Sequence, residues 1–161
     1  MSIIIGIDPG STTIGYAIIE KERHSIKLID FGVISTTPKI ELAYKLLEIG
    51  SDMEKLIEKY TPQKIAIERL FFTNNIKTAI DVAQCRGVIM YECIKHNLQI
   101  KEYTPLQVKK AITGNGKANK KQMQQAIKMI MKLDAIPTPD DSADALCLAY
   151  IGSLERDGNI L

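Results

Sequence analysis

Ile3-Ile-Ile-Gly-Ile-Asp-Pro-Gly-Ser-Thr-Thr-Ile-Gly15 is the segment around which this chain is organised. Its β-branched apolar run predicts a strand that is buried on both faces and therefore lies in the middle of a sheet. Asp8 falls at the end of that strand, and Pro9-Gly10 predicts a turn directly after it. A carboxylate in this position needs a partner, because burying a lone charge costs several kcal/mol.

Two interpretations of Asp8 are open from this segment alone. The carboxylate can accept hydrogen bonds from the backbone N–H groups of Gly10 and Ser11, which is a common use of Asp in a turn. Alternatively it faces a metal or a phosphate at the carboxyl end of a central strand, where open α/β sheets bind ligands.

Length and composition predict one globular domain. The chain has 161 residues, of which 45% are hydrophobic and 25% charged, and these values indicate no fibrous, membrane or disordered class. We expect a domain over residues 1–154 and a short, frayed tail over 155–161. The amino terminus lacks the basic region of a signal peptide and has an acid after its apolar run, so we expect a cytoplasmic protein without a membrane span.

Cysteine, histidine and net charge carry little functional signal. Cys85, Cys93 and Cys147 lack metal-type spacing and are interpreted as reduced structural thiols. His24 and His96 are isolated among polar residues and are interpreted as surface residues. The net charge is only +2, so an argument for nucleic acid must rest on how the charges are distributed.

The remaining pattern predicts an α/β fold with a mixed sheet and helices on both faces. Short connections join the first three strands into an antiparallel meander, and a helical crossover makes the fourth strand parallel to the first. Gly15 and Gly32 indicate close backbone approach or bulges. The predicted elements after the first strand are strands 14–20 and 26–34, a long helix that Pro38 precedes and that runs to Tyr60, strand 64–68, helix 76–96, strand 99–103, a short helix from Pro105, a helix capped by Asn119 and Gln122 to about Leu133, and helix 140–154.

Four acids are candidates for a common site. Asp8 and Glu68 end neighbouring strands, and Asp141 and Asp144 share one face of a helix start, where simple helix capping is the alternative. Clustered carboxylates need a cation, and oxygen ligands without His or Cys select Mg²⁺ or Mn²⁺. The chemistry that uses such a cluster is two-metal hydrolysis of a phosphodiester.

These residues resemble the RuvC family of Holliday junction resolvases. The resemblance rests on Ile5-Gly-Ile-Asp-Pro-Gly-Ser, Ile67-Glu68 with Phe71 and Asn75, Ala83-Gln-Cys-Arg-Gly87 and Asp141-Ser-Ala-Asp-Ala-Leu146, and it runs from about Ile3 to Ile151. It implies a ribonuclease-H-like five-stranded sheet, a homodimer, and Mg²⁺-dependent cutting of four-way DNA junctions during recombination and repair, together with the branch-migration proteins RuvA and RuvB. The family's metal-binding carboxylates fall on Asp8, Glu68, Asp141 and Asp144, with two ions expected per subunit, whereas spacing alone leaves Asp140 open.

The resemblance also assigns residues to DNA. Phe71 matches an aromatic residue that stacks at the crossover, and Lys109 and Lys120 match basic residues near the cut strand. Arg69 stands where the family pattern has Gln, and it forms either a phosphate contact or a salt bridge. Lys117 belongs to the same lysine-rich segment, for which a solvated surface is the alternative to phosphate binding. Phe72 is interpreted as a core residue.

A two-fold homodimer would match the approximate two-fold symmetry of a four-way junction. The helix from Ile76 to His96 is the candidate surface, because Ile80, Ala83, Gly87, Met90 and Ile94 form an apolar stripe that Val82, Ile89 and Cys93 widen. The alternative is that this entire face packs against the sheet of its own subunit.

Three other functional classes are open to a chain with this pattern. They are an actin-like phosphotransferase, which requires a second lobe, a non-catalytic nucleic-acid-binding module, and a nuclease that cuts RNA in hybrids.

Overall fold

The computed structural model describes residues 1–10, 12–70 and 75–155, and it has a five-stranded mixed sheet with helices on both faces. The predicted α/β architecture is therefore confirmed. Within the described ranges, no helix combines the length and apolarity needed to cross a bilayer. The elements are β1 (Ser2–Asp8), β2 (Thr13–Glu22), β3 (Ser25–Ser35), α1 (Leu42–Tyr60), β4 (Lys64–Glu68), α2 (Ile76–Lys95), β5 (Gln99–Tyr103), α3 (Pro105–Thr113), α4 (Lys120–Ile130) and α5 (Asp140–Leu154).

The strand that opens the chain is the central strand of the sheet, whose order is β3-β2-β1-β4-β5. It pairs antiparallel with β2 and parallel with β4, as the connection lengths predict. Ile7 is opposite Ile67 of β4, so Asp8 and Glu68 follow at the same edge of the sheet. This edge is where the carboxyl ends of the parallel strands meet.

Alternating side chains of β1 enter two separate cores. Ile5 and Ile7 pack with α1 and α2 on one face of the sheet. Ile4 packs with α3, α4 and α5 on the other face. All three side chains are at most 1% exposed, and full burial of such a side chain contributes about 1.5 to 3 kcal/mol. The unbroken apolar run is therefore explained by helices that cover both faces.

Two glycines allow α5 to lie directly on the sheet. A Cβ at Gly6 would be 2.0 Å from the main-chain oxygen of Ala145, and a Cβ at Gly15 would be 2.0 Å from that of Asp141. No other residue fits such a contact without movement of the helix. The close approach predicted at Gly15 is confirmed, and it fixes the first turn of α5 above β1 and β2.

The sheet covers only one apolar face of α1 and of α2. Leu47 fits the three- and four-residue apolar spacing of α1 but is 66% exposed, because Ile49, Met53 and Ile57 form the face that contacts the sheet. In α2, Ile89 and Cys93 are fully buried in their own subunit and cannot widen a dimer surface. The exposed apolar residues of α2 are Ile76, Ile80, Tyr91 and Ile94, at 52% to 70% exposure. The helix has two apolar faces, and periodicity did not show which one the sheet covers.

Candidate active site

Three of the four predicted carboxylates converge at the end of β1. Ligand oxygens of Asp8, Asp141 and Asp144 all lie within 4.8 Å of one another. Asp8 ends the central strand, while Asp141 and Asp144 are three residues apart and project from one face of α5. The glycine contacts under α5 bring the two elements close enough for this grouping. We call these three residues the acidic trio.

Glu68 lies at the same edge but outside the acidic trio. It lines a cavity of about 280 Å³ together with Asp144, Lys109 and Lys120. Apolar residues of α3, α4 and α5, including Val108, Met123 and Leu148, complete the wall. The cavity lining thus includes two acidic side chains, Glu68 and Asp144, and two basic ones, Lys109 and Lys120.

Burial and mutual repulsion disfavour the charged form of Asp8, Glu68 and Asp144. The pKa of Asp8 is raised to about 8, most strongly by burial and then by the charges of Asp144, Glu68 and Asp141, in that order of effect. Burial is also the main cause of the raised pKa of Glu68 and of Asp144. Such a group of oxygen donors fits a divalent cation, because a cation removes the repulsion and supplies the missing partner.

Among the described residues the structure shows neither capping hydrogen bond, although Asp140 and Asp141 do lie in the first turn of α5, where the helix dipole favours acids. Gly10 does not donate to Asp8, and Ser11 lies outside the described residues. The N-cap of α5 is Pro139, with no side-chain capping bond. Asp141 instead accepts a hydrogen bond of 2.9 Å from the hydroxyl of Thr13 on β2. Thr13 was missed by the sequence argument, although its place two residues before Gly15 puts it beside α5.

Lys120 forms ion pairs with two acids, although its side chain is about half exposed. Its Nζ is 3.3 Å from Asp140 Oδ2 and 3.4 Å from Asp144 Oδ2. Asp140 also accepts a hydrogen bond from Gln124, and it is not a member of the acidic trio. Of the two neighbouring aspartates, the geometry therefore favours Asp141 as the member of the acidic trio, whereas Asp140 contacts Lys120.

The other predicted DNA-binding residues occupy different positions around this edge. Lys109 is half-buried and its charge lowers the pKa of Glu68. Lys117 and Arg69 are exposed. Phe71, predicted to stack on DNA, and Phe72, predicted to be core, both lie outside the described residues.

The lysine-rich segment is held by local hydrogen bonds. Capping boxes begin both helices, Thr104 with Gln107 in α3 and the predicted Asn119 with Gln122 in α4. Between the helices, the side-chain oxygen of Asn115 accepts a 2.9 Å hydrogen bond from the backbone N–H of Lys117, so this connection is a hydrogen-bonded turn. The backbone at the lysines is thus held in place by local bonds.

A second group of possible metal ligands lies far from this edge, between α1 and α2. Glu54, Glu92 and His96 bring ligand atoms within 4.8 Å of one another. Lys95 Nζ is 2.7 Å from Glu54 and 3.3 Å from Glu92, so a lysine ammonium already bridges the two carboxylates. The three cysteines are buried and free, in agreement with their interpretation as structural thiols.

Asp8 should make the protein less stable as pH rises, in the absence of divalent cations. The pKa of an ordinary Asp is 3.8, whereas that of Asp8 in the folded chain is about 8. Between these pH values the folded state holds a proton that the unfolded state releases. Raising the pH through this window therefore favours unfolding. We expect Asp8→Asn to raise Tm at pH 8 by at least about 4 °C and to change it little at pH 4. A shift of one pKa unit corresponds to about 1.4 kcal/mol of stability, and each kcal/mol shifts Tm by about 2 to 4 °C. Thermal melting in EDTA at both pH values measures this, and an equal shift at both would contradict it.

Comparison with known proteins identifies the family. The family model "Crossover junction endodeoxyribonuclease RuvC" matches residues 4–151. The RuvC proteins of Petrotoga mobilis and Halothermothrix orenii are each 48% identical to the chain, over 92% and 91% of its length and 91% and 89% of theirs. A structure of Thermus thermophilus RuvC in complex with a Holliday junction substrate superposes with a TM-score of 0.86 at 27% identity, covering 92% of this chain and 91% of that one. The yeast mitochondrial resolvase Ydc2 shares the fold, with a TM-score of 0.69 at 16% identity and coverage of 94% and 77%.

The sheet order and these neighbours define a protein of the ribonuclease-H-like nuclease class. Within that class, the chain belongs to the RuvC family of crossover junction endodeoxyribonucleases.

Proposed function

We propose that this protein resolves four-way DNA junctions by paired, symmetric, metal-dependent nicks during recombination and repair. The observation that carries the proposal is the acidic trio beside a cavity whose lining includes Lys109 and Lys120, in a chain of the RuvC family. A relative of the same fold has been solved with a Holliday junction. We further propose that residues 1–154 form a single nuclease domain.

The metal ligands in this proposal are Asp8, Glu68, Asp141 and Asp144. All four offer hard carboxylate oxygens, which favours Mg²⁺ with Mn²⁺ as a substitute, and we propose two ions per subunit. Ions held by these carboxylates would supply an activated attacking water and stabilisation of the leaving oxygen. Within the chain, Thr13 orients Asp141 through its 2.9 Å hydrogen bond, and Glu68 lies in the wall of the cavity that Lys109 and Lys120 share.

The DNA contacts in this proposal are Phe71, Arg69, Lys109, Lys117 and Lys120. Lys109 and Lys120 line the cavity next to Glu68 and Asp144, so a phosphate held by them lies near the carboxylates. Lys117 and Arg69 are exposed around the same edge and suit contacts with flanking phosphates. Phe71 follows Glu68 closely in the chain and suits stacking on an unpaired base at the crossover.

Lys117→Ala should weaken junction binding to a similar extent for every DNA sequence. Loss of one phosphate contact is expected to reduce the slope of log K against log salt by about 0.9. Lys109→Ala should do the same and also slow cleavage, because Lys109 lies beside Glu68. Binding titrations in EDTA at several salt concentrations measure the slopes. The matched control is Lys55→Ala, since Lys55 pairs with Asp52 on α1. If the salt slope of Lys117→Ala were as steep as that of this control, Lys117 would be a solvated surface residue without a phosphate contact.

The protein should act as a homodimer, because resolution requires nicks in two opposed strands of like polarity. A two-fold dimer presents two identical sites to a substrate of the same symmetry. The exposed apolar residues of α2, supplemented by Tyr44 and Leu47 on the neighbouring α1, form a surface of the kind that associates. Gly87 lies on the exposed side and leaves open space within its subunit, which allows a second helix to approach.

Ile80→Asp combined with Ile94→Asp should convert the dimer to a monomer without unfolding it, since both side chains are more than half exposed within a subunit. Sedimentation at micromolar concentration should give about twice the chain mass of 18.0 kDa for the wild type and about once that mass for the variant. A cruciform plasmid should be linearised by the wild type and left as nicked circles by the variant. Met129→Asp on α4, where the side chain is 77% exposed, is the control. A variant that still sediments as a dimer would place the interface elsewhere.

Family resemblance adds RuvA and RuvB as partners that move the junction. The RuvC proteins of Petrotoga mobilis and Halothermothrix orenii are bacterial, and a junction in a bacterial chromosome lies in the cytoplasm, which we propose as the site of action.

A further inference from the structure

Arg86 of α2 reaches the carboxyl end of β4 and contacts the main chain of Glu68. Its Nε donates a hydrogen bond of 3.2 Å to the main-chain oxygen of Glu68. Its Nη2 forms an ion pair with Glu102 on β5, and its Nη1 lies 3.2 Å from the sulfur of Met90. The side chain is only 13% exposed, so the guanidinium is held by several partners at once.

The contact falls where Glu68 is least supported by the sheet. Glu68 is the last residue of β4, and beyond it the backbone of Arg69 makes one further bond, to the main-chain oxygen of Tyr103. Glu68 also lies outside the acidic trio. Its carboxylate therefore depends on the end of β4 for its direction and for its distance from Asp8 and Asp144.

We infer that Arg86 is a positioning residue that fixes Glu68 relative to the acidic trio, and that Glu102 in turn orients Arg86. The inference rests on the proposed function in one respect, namely that Glu68 holds a metal ion. Arg86 does not touch the reacting atoms in this role. It acts as an outer partner of a ligand, and loss of such partners typically costs 10- to 100-fold in metal affinity or activity.

The alternative is that Arg86 only joins α2 to β5 and contributes to stability. A stabilising ion pair elsewhere on α2 provides the comparison, because Lys95 bridges Glu54 and Glu92 at 2.7 and 3.3 Å. Lys95→Gln should lower Tm and leave the metal dependence of cleavage unchanged. If Arg86 were only structural, its variants would behave in the same way.

The test uses Arg86→Lys, Arg86→Gln and Glu102→Gln in the full chain. Lysine keeps the charge but lacks the planar fork needed to hold Glu102 and the Glu68 oxygen together. We expect the Mg²⁺ concentration for half-maximal junction cleavage to rise about 10-fold in Arg86→Lys, with junction binding in EDTA unchanged. The increase in Tm on adding Mn²⁺ without DNA should shrink in parallel. If Arg86→Gln does not fold, the lysine variant and Glu102→Gln still decide the question.

A double variant separates positioning from a general effect. With Glu68→Gln already present, Arg86→Lys should not reduce the Mn²⁺-induced shift of Tm any further, since its target ligand has been removed. If the wild type responds to metal and both Arg86→Lys and Glu102→Gln show the same metal dependence as the wild type, the positioning role of Arg86 is overturned. The proposed function is then unaffected. Absence of any metal response in the wild type would instead overturn the proposed function, and this inference with it.

Discussion

Asp8→Asn is expected to abolish junction cleavage while leaving junction binding in EDTA nearly intact. The substitution removes a central member of the acidic trio but leaves the lysines around the cavity in place. Loss of a ligand that supports several kcal/mol of transition-state stabilisation corresponds to a rate decrease of about 10³-fold or more. Single-turnover cleavage of a labelled junction measures the rate, and a gel shift in EDTA measures binding.

Glu68→Gln, Asp141→Asn and Asp144→Asn should have the same effect, whereas Asp140→Asn is the matched control. Asp140 contacts Lys120 and Gln124 and lies outside the acidic trio. An inactive Asp140→Asn beside an active Asp141→Asn would shift the assignment by one residue. A comparable cleavage rate in Asp8→Asn would remove Asp8 from the catalytic site.

Gly15→Ala should have the second largest effect, although position 15 carries no reacting group. A Cβ there would be 2.0 Å from the main-chain oxygen of Asp141, so α5 must lift from the sheet. Overpacking of this kind costs about 1 to 3 kcal/mol, which predicts a fall in Tm of about 2 to 12 °C. Displacement of Asp141 and Asp144 by about 1 Å should reduce cleavage about 10²-fold.

Gly50→Ala on α1 is the matched control. Its Cβ would be 3.2 Å from a methyl group of Val88, a side chain that can adjust, and α1 is on the opposite face of the sheet from α5. Cleavage by this variant should equal that of the wild type. If Gly15→Ala retained full activity and stability, the close contact between α5 and the sheet would not be what assembles the acidic trio.

Much of the site could be predicted because its determinants are local. The apolar run 3–7 identifies a strand buried on both faces, and the crossover through α1 makes β4 parallel to it. Asp8 and Glu68 therefore had to emerge at one edge of the sheet. Asp141 and Asp144 share a helix face because of their spacing, and Gly15 indicated where the backbone of another element would approach.

Other features depend on tertiary contacts that spacing does not encode. Ile89 and Ile94 of α2 are equally apolar, but one is fully buried and the other is 62% exposed. Only the placement of α2 against α1 and the sheet distinguishes them. Similarly, Lys120 belongs to a lysine-rich segment in the sequence, whereas in the fold it contacts Asp140 and Asp144. Arg86 was noted only as part of a family segment, since its contact with the Glu68 carbonyl joins residues 18 positions apart.

The most direct test of the central claim is cleavage of a synthetic four-way junction and a sequence-matched linear duplex by the purified protein, each with Mg²⁺ and with EDTA. We expect paired nicks in opposed strands of the junction with Mg²⁺, no cleavage in EDTA or by Asp8→Asn, and little or no cutting of the duplex. A protein that nicks junction and duplex equally well would contradict resolution of junctions as its function.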